Sequence, residues 1–138
     1  MVGSGLERSR AMARPREGLN LKYVALGVVA AFLVAFVFSG IVGLVMYQGW
    51  LSEAYSPLVM NIVSFLSLFL GGLYAGRRAG TAGWAHGALT GFLYITVISG
   101  LGLAVFNQVA PVLVLLGRAG LSVLLGAVAG TVGINLRR

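Results

Sequence analysis

The chain has 138 residues, of which 59% are hydrophobic and only 9% are charged. Soluble domains carry about 25% charged residues, so this composition excludes an ordinary soluble protein. The ten lysine and arginine residues give a net charge of +7, but they flank long apolar stretches, so we expect no nucleic-acid partner. The absence of cysteine excludes a disulfide framework, and with a single histidine we expect no zinc site within one chain.

The first 20 residues are polar and basic, and Pro15 interrupts them. We predict a disordered cytoplasmic tail over residues 1–20, because this composition cannot bury a core. Basic residues near an anionic membrane surface contribute about 1 kcal/mol each to adsorption, which makes anionic lipid headgroups candidate partners. The remaining residues, 21–138, form the predicted membrane domain.

Four long apolar stretches make up that domain. A hydrocarbon core about 30 Å thick requires roughly 20 apolar residues in a helix. The stretches that meet or nearly meet this length cover about residues 23–46, 57–75, 84–105 and 116–135. The first is too long for a signal-peptide core, so we interpret it as a retained anchor. The sequence therefore predicts an all-α integral membrane four-helix bundle.

The basic residues lie on one side of these spans. Cytoplasmic loops carry an excess of lysine and arginine. Four spans place nine basic residues on the same side: Arg8, Arg10, Arg14, Arg16, Lys22, Arg77, Arg78, Arg137 and Arg138. The opposite connections hold Glu53 and, near the fourth span, Arg118. We therefore predict that both termini are cytoplasmic.

Two features leave alternatives open. The apolar segment 107–116 either lies along the outer membrane surface or extends the fourth span. The stretch "FSGIVGLVMYQ" (38–48) resembles "ISGLGLAVFNQ" (98–108), and "LGGLYAG" (70–76) resembles "LLGAVAG" (124–130). These pairs indicate either a duplicated two-helix hairpin, which would be a parallel repeat, or the shared composition of membrane helices.

Small residues recur at helical spacing in spans two, three and four. Lipid provides no hydrophobic drive for helix association, so close packing depends on small residues at the contact. Residues three and four apart share a helix face, and we predict that these faces pack on one another. The glycines predicted to do so are Gly71, Gly72, Gly76, Gly83, Gly87, Gly91, Gly126 and Gly130. The alternative is a thin polar path through the bundle, lined by Asn61, Ser64, Ser67, Thr90, Tyr94, Thr96 and Ser99.

The sequence contains no pattern typical of a catalytic site. It has neither a phosphate-binding glycine loop nor carboxylates within the spans. We therefore predict that the protein is not an enzyme and binds no cofactor or metal. The candidates for contact with lipid headgroups or a protein partner are Arg77, Arg78, His86 and Arg118. Arg118 is also a candidate for pairing with Glu53, which would tether the two outer connections.

Three short motifs resemble those of a known family. They are "GGLYAGRRAG" (71–80), "GWAHGALTG" (83–91) and "GTVGIN" (130–135), and together they extend over spans two to four. They are similar to an uncharacterised family of small four-span membrane proteins found mainly in Gram-positive bacteria. The resemblance implies a multi-pass protein of the bacterial cytoplasmic membrane and assigns no catalytic residues.

A non-enzymatic integral membrane protein is the class that these observations favour. We expect an accessory or scaffold subunit that associates with another membrane protein, or with itself, through glycine-rich helix faces. One alternative is a small homo-oligomeric carrier or channel, and another is an envelope protein that binds anionic lipid through its basic face. The first span lacks the glutamate that marks the small multidrug transporters, which argues against a proton-driven antiporter of that type.

The predicted orientation is testable with single cysteines, because the chain has none of its own. Glu53→Cys should react with a membrane-impermeant thiol reagent added to intact cells. Ala79→Cys should react only after the membrane has been permeabilised. The reverse pattern of labelling would show that the basic residues face outward.

Overall fold

A computed structural model describes residues 18–107 and 110–137, most of which are helical. Four long helices follow one another along this part of the chain: α1 (Leu21–Tyr47), α2 (Ser56–Ala79), α3 (Gly83–Phe106) and α4 (Val112–Asn135). All four are long and apolar enough to cross a membrane, which confirms the predicted all-α four-span bundle. The predicted tail over residues 1–20 falls outside the described residues except for its last three positions.

The connection between α2 and α3 is shorter than the sequence suggests. The α2 helix continues through Arg77 and Arg78, so only residues 80–82 lie between the two helices. The arginines therefore occupy the last turn of α2, where the helix dipole favours positive charge. Gly80 and Ala82 both have positive φ angles, 70° and 44°. Alanine rarely adopts this left-handed conformation, so the short turn holds Ala82 in a strained backbone geometry.

The α4 helix begins earlier than the predicted fourth span. It starts at Val112, directly after Pro111, so the apolar residues from 112 onward extend the span instead of lying along the surface. Pro111 is compatible with this helix start because no helical hydrogen bond needs its missing N–H. Gln108 and Val109, also in this segment, lie outside the described residues.

The order of contacts defines the direction of each helix. Backbone contacts between α3 and α4 pair residues in reverse order, so these helices are antiparallel: Gly83 with Gly130, Gly87 with Gly126, and Gly91 with Ser122. The α2 helix contacts each of the other three. It runs parallel to α4, because Gly72 and Gly76 approach Gly126 and Gly130 in the same order.

Small residues also form the contact between α1 and α2. A Cβ atom placed on Gly71 would lie 2.6 Å from both the Gly27 carbonyl oxygen and the Ala31 Cβ, so no side chain fits there. All eight glycines predicted to pack are buried, and seven of them meet a neighbouring helix this closely; at Gly72 an added Cβ atom would lie 3.2 Å from the Ala129 Cβ. Both hairpins, α1–α2 and α3–α4, use such contacts, but shared membrane composition would produce the same feature, so a duplicated hairpin stays a prediction.

The bundle is tightly packed in only one half. We define the closed half as residues 21–33, 67–79, 83–94 and 122–135 of the four helices, and the open half as the remainder of each helix. Within the described residues, every buried position except Val63 lies in the closed half. The helical glycines at which an added Cβ atom would meet no other atom within 4 Å all lie in the open half: Gly40, Gly43, Gly100, Gly102, Gly117 and Gly120.

Substitution of one glycine in each half tests this packing asymmetry. In Gly87→Ala, the new methyl group would meet the Gly126 carbonyl, and the helices must separate. Overpacking of this kind costs about 1–3 kcal/mol. In Gly100→Ala, the methyl group enters open space, and helix propensity favours alanine by up to about 1 kcal/mol. Unfolding in lipid–detergent micelles measures both changes, and equal destabilisation would contradict the asymmetry.

Candidate functional site

Three arginine side chains lie together at the end of the closed half. Arg77 and Arg78 belong to α2 and Arg137 follows α4, and with Tyr23 and Tyr74 they line a surface depression of about 600 Å³. The Arg78 guanidinium carbon lies 5.4 Å from the centre of the Tyr74 ring, a cation–π contact. Within the described residues these arginines form no ion pair. This basic depression therefore concentrates positive charge that suits an anionic group such as a lipid phosphate.

His86 is buried at the start of α3 beside the basic depression, with only 1% of its surface exposed. Its Nε2 accepts a hydrogen bond from the backbone N–H of Asn20 at 3.0 Å, and its Nδ1 lies 3.0 Å from the Ala82 carbonyl oxygen. A carbonyl only accepts hydrogen bonds, so Nδ1 carries the proton and Nε2 does not. These two contacts select one tautomer of the ring, which connects the N-terminus of α1 to that of α3.

The residues around His86 reinforce this connection. Asn20 caps α1, and its side-chain oxygen accepts a hydrogen bond from the Lys22 N–H at 3.2 Å. The Tyr23 ring meets the His86 ring edge-on, with 6.4 Å between ring centres. The Asn20 cap and the Tyr23 ring therefore hold the start of α1 against the start of α3.

A polar cleft of about 290 Å³ lies between all four helices and opens into the open half. Its polar lining consists of Ser39, Asn61, Ser64, Tyr94, Arg118 and Ser122. At the base of the cleft, the Ser64 and Tyr94 hydroxyl groups share a hydrogen bond of 3.4 Å. Tyr94 is 1% exposed and packs with Ala31 and Leu68, so the floor of the cleft rests on the hydrophobic core.

Arg118 is the charged residue on the wall of this cleft. A helix rises 1.5 Å per residue, which places Arg118 about 9 Å along α4 from its first residue. In the part of the chain that the structure describes, Arg118 forms neither a hydrogen bond nor an ion pair. The pairing with Glu53 considered above is not formed, because Glu53 lies in the turn before α2 and lines a separate depression with Met46 and Tyr47.

Several hydroxyl groups considered for a polar path bind their own helices instead. Three of them donate to a carbonyl four residues earlier, at 2.7–2.8 Å: Ser67 to Val63, Thr90 to His86, and Thr96 to Phe92. Hydroxyl groups in membrane helices are commonly satisfied in this way. A path across the closed half would also have to separate the backbone contacts between glycines. Of the remaining candidates, Asn61, Ser64 and Tyr94 line the polar cleft and Ser99 does not, so they do not form a path along the bundle.

The structure distributes the four candidate contact residues over three places. Arg77 and Arg78 share the basic depression, His86 is buried beside it, and Arg118 lies in the polar cleft of the other half. Sequence reasoning missed Asn20. An asparagine immediately before an apolar run is an N-cap signal, so its cap was detectable. The hydrogen bond from its backbone N–H to His86 joins residues 66 positions apart, so no local pattern in the sequence predicts it.

Four apolar helices of membrane length that pack on one another define a multi-pass helical membrane protein. The chain belongs to the family described as "Protein of unknown function (DUF3792)", which matches it over residues 20–133. It is 30% identical over 119 residues to "Uncharacterized membrane protein YrzE" of Bacillus subtilis (strain 168), an alignment that covers 84% of this chain and 77% of the relative. No solved structure matches the chain. These matches confirm the family resemblance noted from the motifs.

Replacement of His86 tests the connection between α1 and α3. His86→Leu removes both hydrogen bonds of the ring, and a hydrogen bond of this kind contributes about 0.5–1.5 kcal/mol to stability. We expect faster hydrogen exchange at Asn20 and lower thermal stability in lipid nanodiscs. Thr96→Val is the control, because its exposed hydroxyl bonds only its own helix. It should change stability by less than about 0.5 kcal/mol. Unchanged exchange at Asn20 in His86→Leu would contradict the connection.

Proposed function

We propose that this protein is a non-enzymatic accessory or scaffold subunit of the bacterial cytoplasmic membrane that holds helices of another membrane protein against its open half. The observation that carries the proposal is the set of helical glycines that face no neighbouring atom: Gly40, Gly43, Gly100, Gly102, Gly117 and Gly120. They lie on three different helices and all in the open half.

The glycines of the closed half do not offer a surface to a partner. The chain's own helices cover them, as the contact between Gly87 and Gly126 illustrates. The glycine-rich faces that the sequence suggested for association are thus occupied within one molecule. Among the described helices, the glycines that stay open to another helix lie in the open half.

The glycines of the open half destabilise their helices, and no contact within the described bundle offsets that destabilisation. A glycine within a helix is less stable than alanine by about 1 kcal/mol, unless close approach of another backbone compensates. In lipid, such approach is a main source of helix–helix attraction. A partner helix on the open half would supply the missing contact. Exposed large side chains beside these glycines, such as Leu44 and Leu101, would extend that contact.

The distribution of charge supports the proposed orientation in the membrane. Lys22, Arg77, Arg78 and Arg137 all lie at or near the closed end of the bundle. The positive-inside rule then puts the closed half on the cytoplasmic side and the open half toward the outer leaflet. The carrier alternative lacks comparable support, because Ser67 and Thr90 bond to their own helix backbones in the closed half.

Photocrosslinking in native membranes tests the proposed role. A photoreactive amino acid at Leu44 or Leu101, next to open glycines, should give an adduct with the same protein partner from both positions. The matched controls are Leu26 and Leu124, which are exposed to a similar degree in the closed half and should not capture that partner. Introducing Gly102→Leu should reduce the adduct by more than half, because the bulky side chain separates the helices.

Two results would overturn the accessory role. Equal capture from the open-half and closed-half positions would show that the open half is not selective. Adducts formed only with a second copy of this chain would establish self-assembly in place of an accessory function. Mass spectrometry of the adducts distinguishes these outcomes. Gly102→Leu should be at least as stable as the parent chain, because a Cβ atom at Gly102 meets nothing within 4 Å and leucine favours a helix more than glycine does.

A further inference from the structure

We propose that the polar cleft of the open half binds the phosphate group of one anionic phospholipid, with Arg118 as the charged contact and an acyl chain lying against α1. This site is separate from the basic depression at the opposite end of the bundle, where attraction of anionic headgroups is a general expectation. It is also independent of whether a protein partner packs on the open half.

The polar groups of the cleft match a phosphate. Arg118 presents a guanidinium group with several donors, and the Asn61 amide adds two more on the facing helix α2. Neither side chain is engaged elsewhere within the described residues. The Ser64–Tyr94 bond uses one hydroxyl proton, so the other remains available to an acceptor. Phosphate oxygens accept such bonds, and arginine pairs with them through two parallel N–H groups.

The charge of the cleft favours an anionic headgroup over a zwitterionic one. Arg118 is charged, and no aspartate or glutamate lies on the described wall. A positively charged amine on the headgroup would therefore have no partner beside the cleft. An ionisable side chain inside a membrane span usually marks a binding site or a pairing, because leaving it unpaired in hydrocarbon is costly. The lipid phosphate supplies the pairing that the chain itself does not.

An apolar groove on α1 continues from the cleft and fits an acyl chain. The groove has a volume of about 470 Å³ and is lined by Val29, Phe32, Leu33, Ala35, Phe36 and Ser39. Ala35 and Ser39 also line the polar cleft, so the two surfaces are continuous. A ligand with a phosphate at one end and a hydrocarbon chain at the other matches a polar cleft that continues into an apolar groove. A free inorganic anion would use only the polar part.

The depth of the cleft agrees with a lipid of the adjacent leaflet. Arg118 and Asn61 lie about 9 Å and 8 Å along their helices from the open end. A long arginine side chain extends toward the headgroup level from such a depth. A phosphate at the membrane surface is therefore within reach of Arg118 without crossing the hydrophobic core.

Native mass spectrometry of the delipidated full chain in maltoside micelles tests the site. Titration with phosphatidylglycerol should show one binding event tighter than the rest, and phosphatidylcholine should lack it. Arg118→Gln should weaken that event by about tenfold or more, the usual loss for a charge-assisted hydrogen bond. Asn61→Leu should weaken it as well, and Arg118→Lys should restore part of the affinity. The double variant Arg77→Gln, Arg78→Gln is the control and should leave the first event unchanged.

The outcomes that would overturn the proposal are distinct. Equal first affinities for phosphatidylglycerol and phosphatidylcholine would exclude selection by charge. Binding of glycerol 3-phosphate as tight as that of the lipid would show a site for soluble anions. If only the double variant Arg77→Gln, Arg78→Gln loses the tightest phosphatidylglycerol binding, then the lipid binds at the basic depression. If Arg118→Gln leaves the tightest phosphatidylglycerol binding unchanged but abolishes the photocrosslinked adduct, then Arg118 pairs with a carboxylate of the protein partner. Arg118→Gln should fold normally, because the side chain makes no internal bond.

Discussion

Direct contact between helix backbones holds the closed half of this bundle together. Lipid provides no hydrophobic drive for helix association, so stability depends on how closely the helices approach. Gly126 and Gly130 of α4 each face two neighbours, Gly87 and Gly83 of α3 on one side and the glycine face of α2 on the other. Two positions thus fix the spacing of three helices. Because the atoms opposite each glycine belong to backbone, a neighbouring side chain cannot rotate away to accommodate a larger residue.

The positions of the polar groups follow from this close packing. Where the helices of the closed half meet through glycine, no side chain fits between them, and the hydroxyl group of Thr90 bonds to its own helix backbone. His86 fits there because its two ring nitrogens are both satisfied by backbone groups, one of them from the start of α1. Beyond Tyr94 the helices no longer meet through glycine. The polar cleft begins at that level, and it is lined by side chains from every helix.

The number of helices and their packing faces were predictable because both depend on local patterns. Apolar length determines a span, and glycine at every fourth position determines a smooth helix face. The halves of the bundle could not be distinguished in this way, because Gly40 and Gly43 of the open half share a helix face just as Gly87 and Gly91 of the closed half do. Only the three-dimensional arrangement shows which glycines meet a neighbour. The same holds for His86, whose partner at Asn20 is distant in sequence, and for Arg118, whose position in α4 depends on where that helix begins.

The arginines of the two ends face different physical conditions. Those of the basic depression lie beyond the helix ends or in a last turn, where water and headgroups solvate them and surface charge pairs are worth little. Arg118 lies within a membrane-length helix, and any protein that covered the open half would remove its access to water. Burying an unpaired charge costs several kcal/mol, so a partner would have to bring a carboxylate or leave a bound anion in place. A lipid phosphate in the cleft would neutralise Arg118 before the partner arrives. Occupancy of the cleft would then favour assembly on the open half, because the complex would contain a paired arginine and not an isolated one.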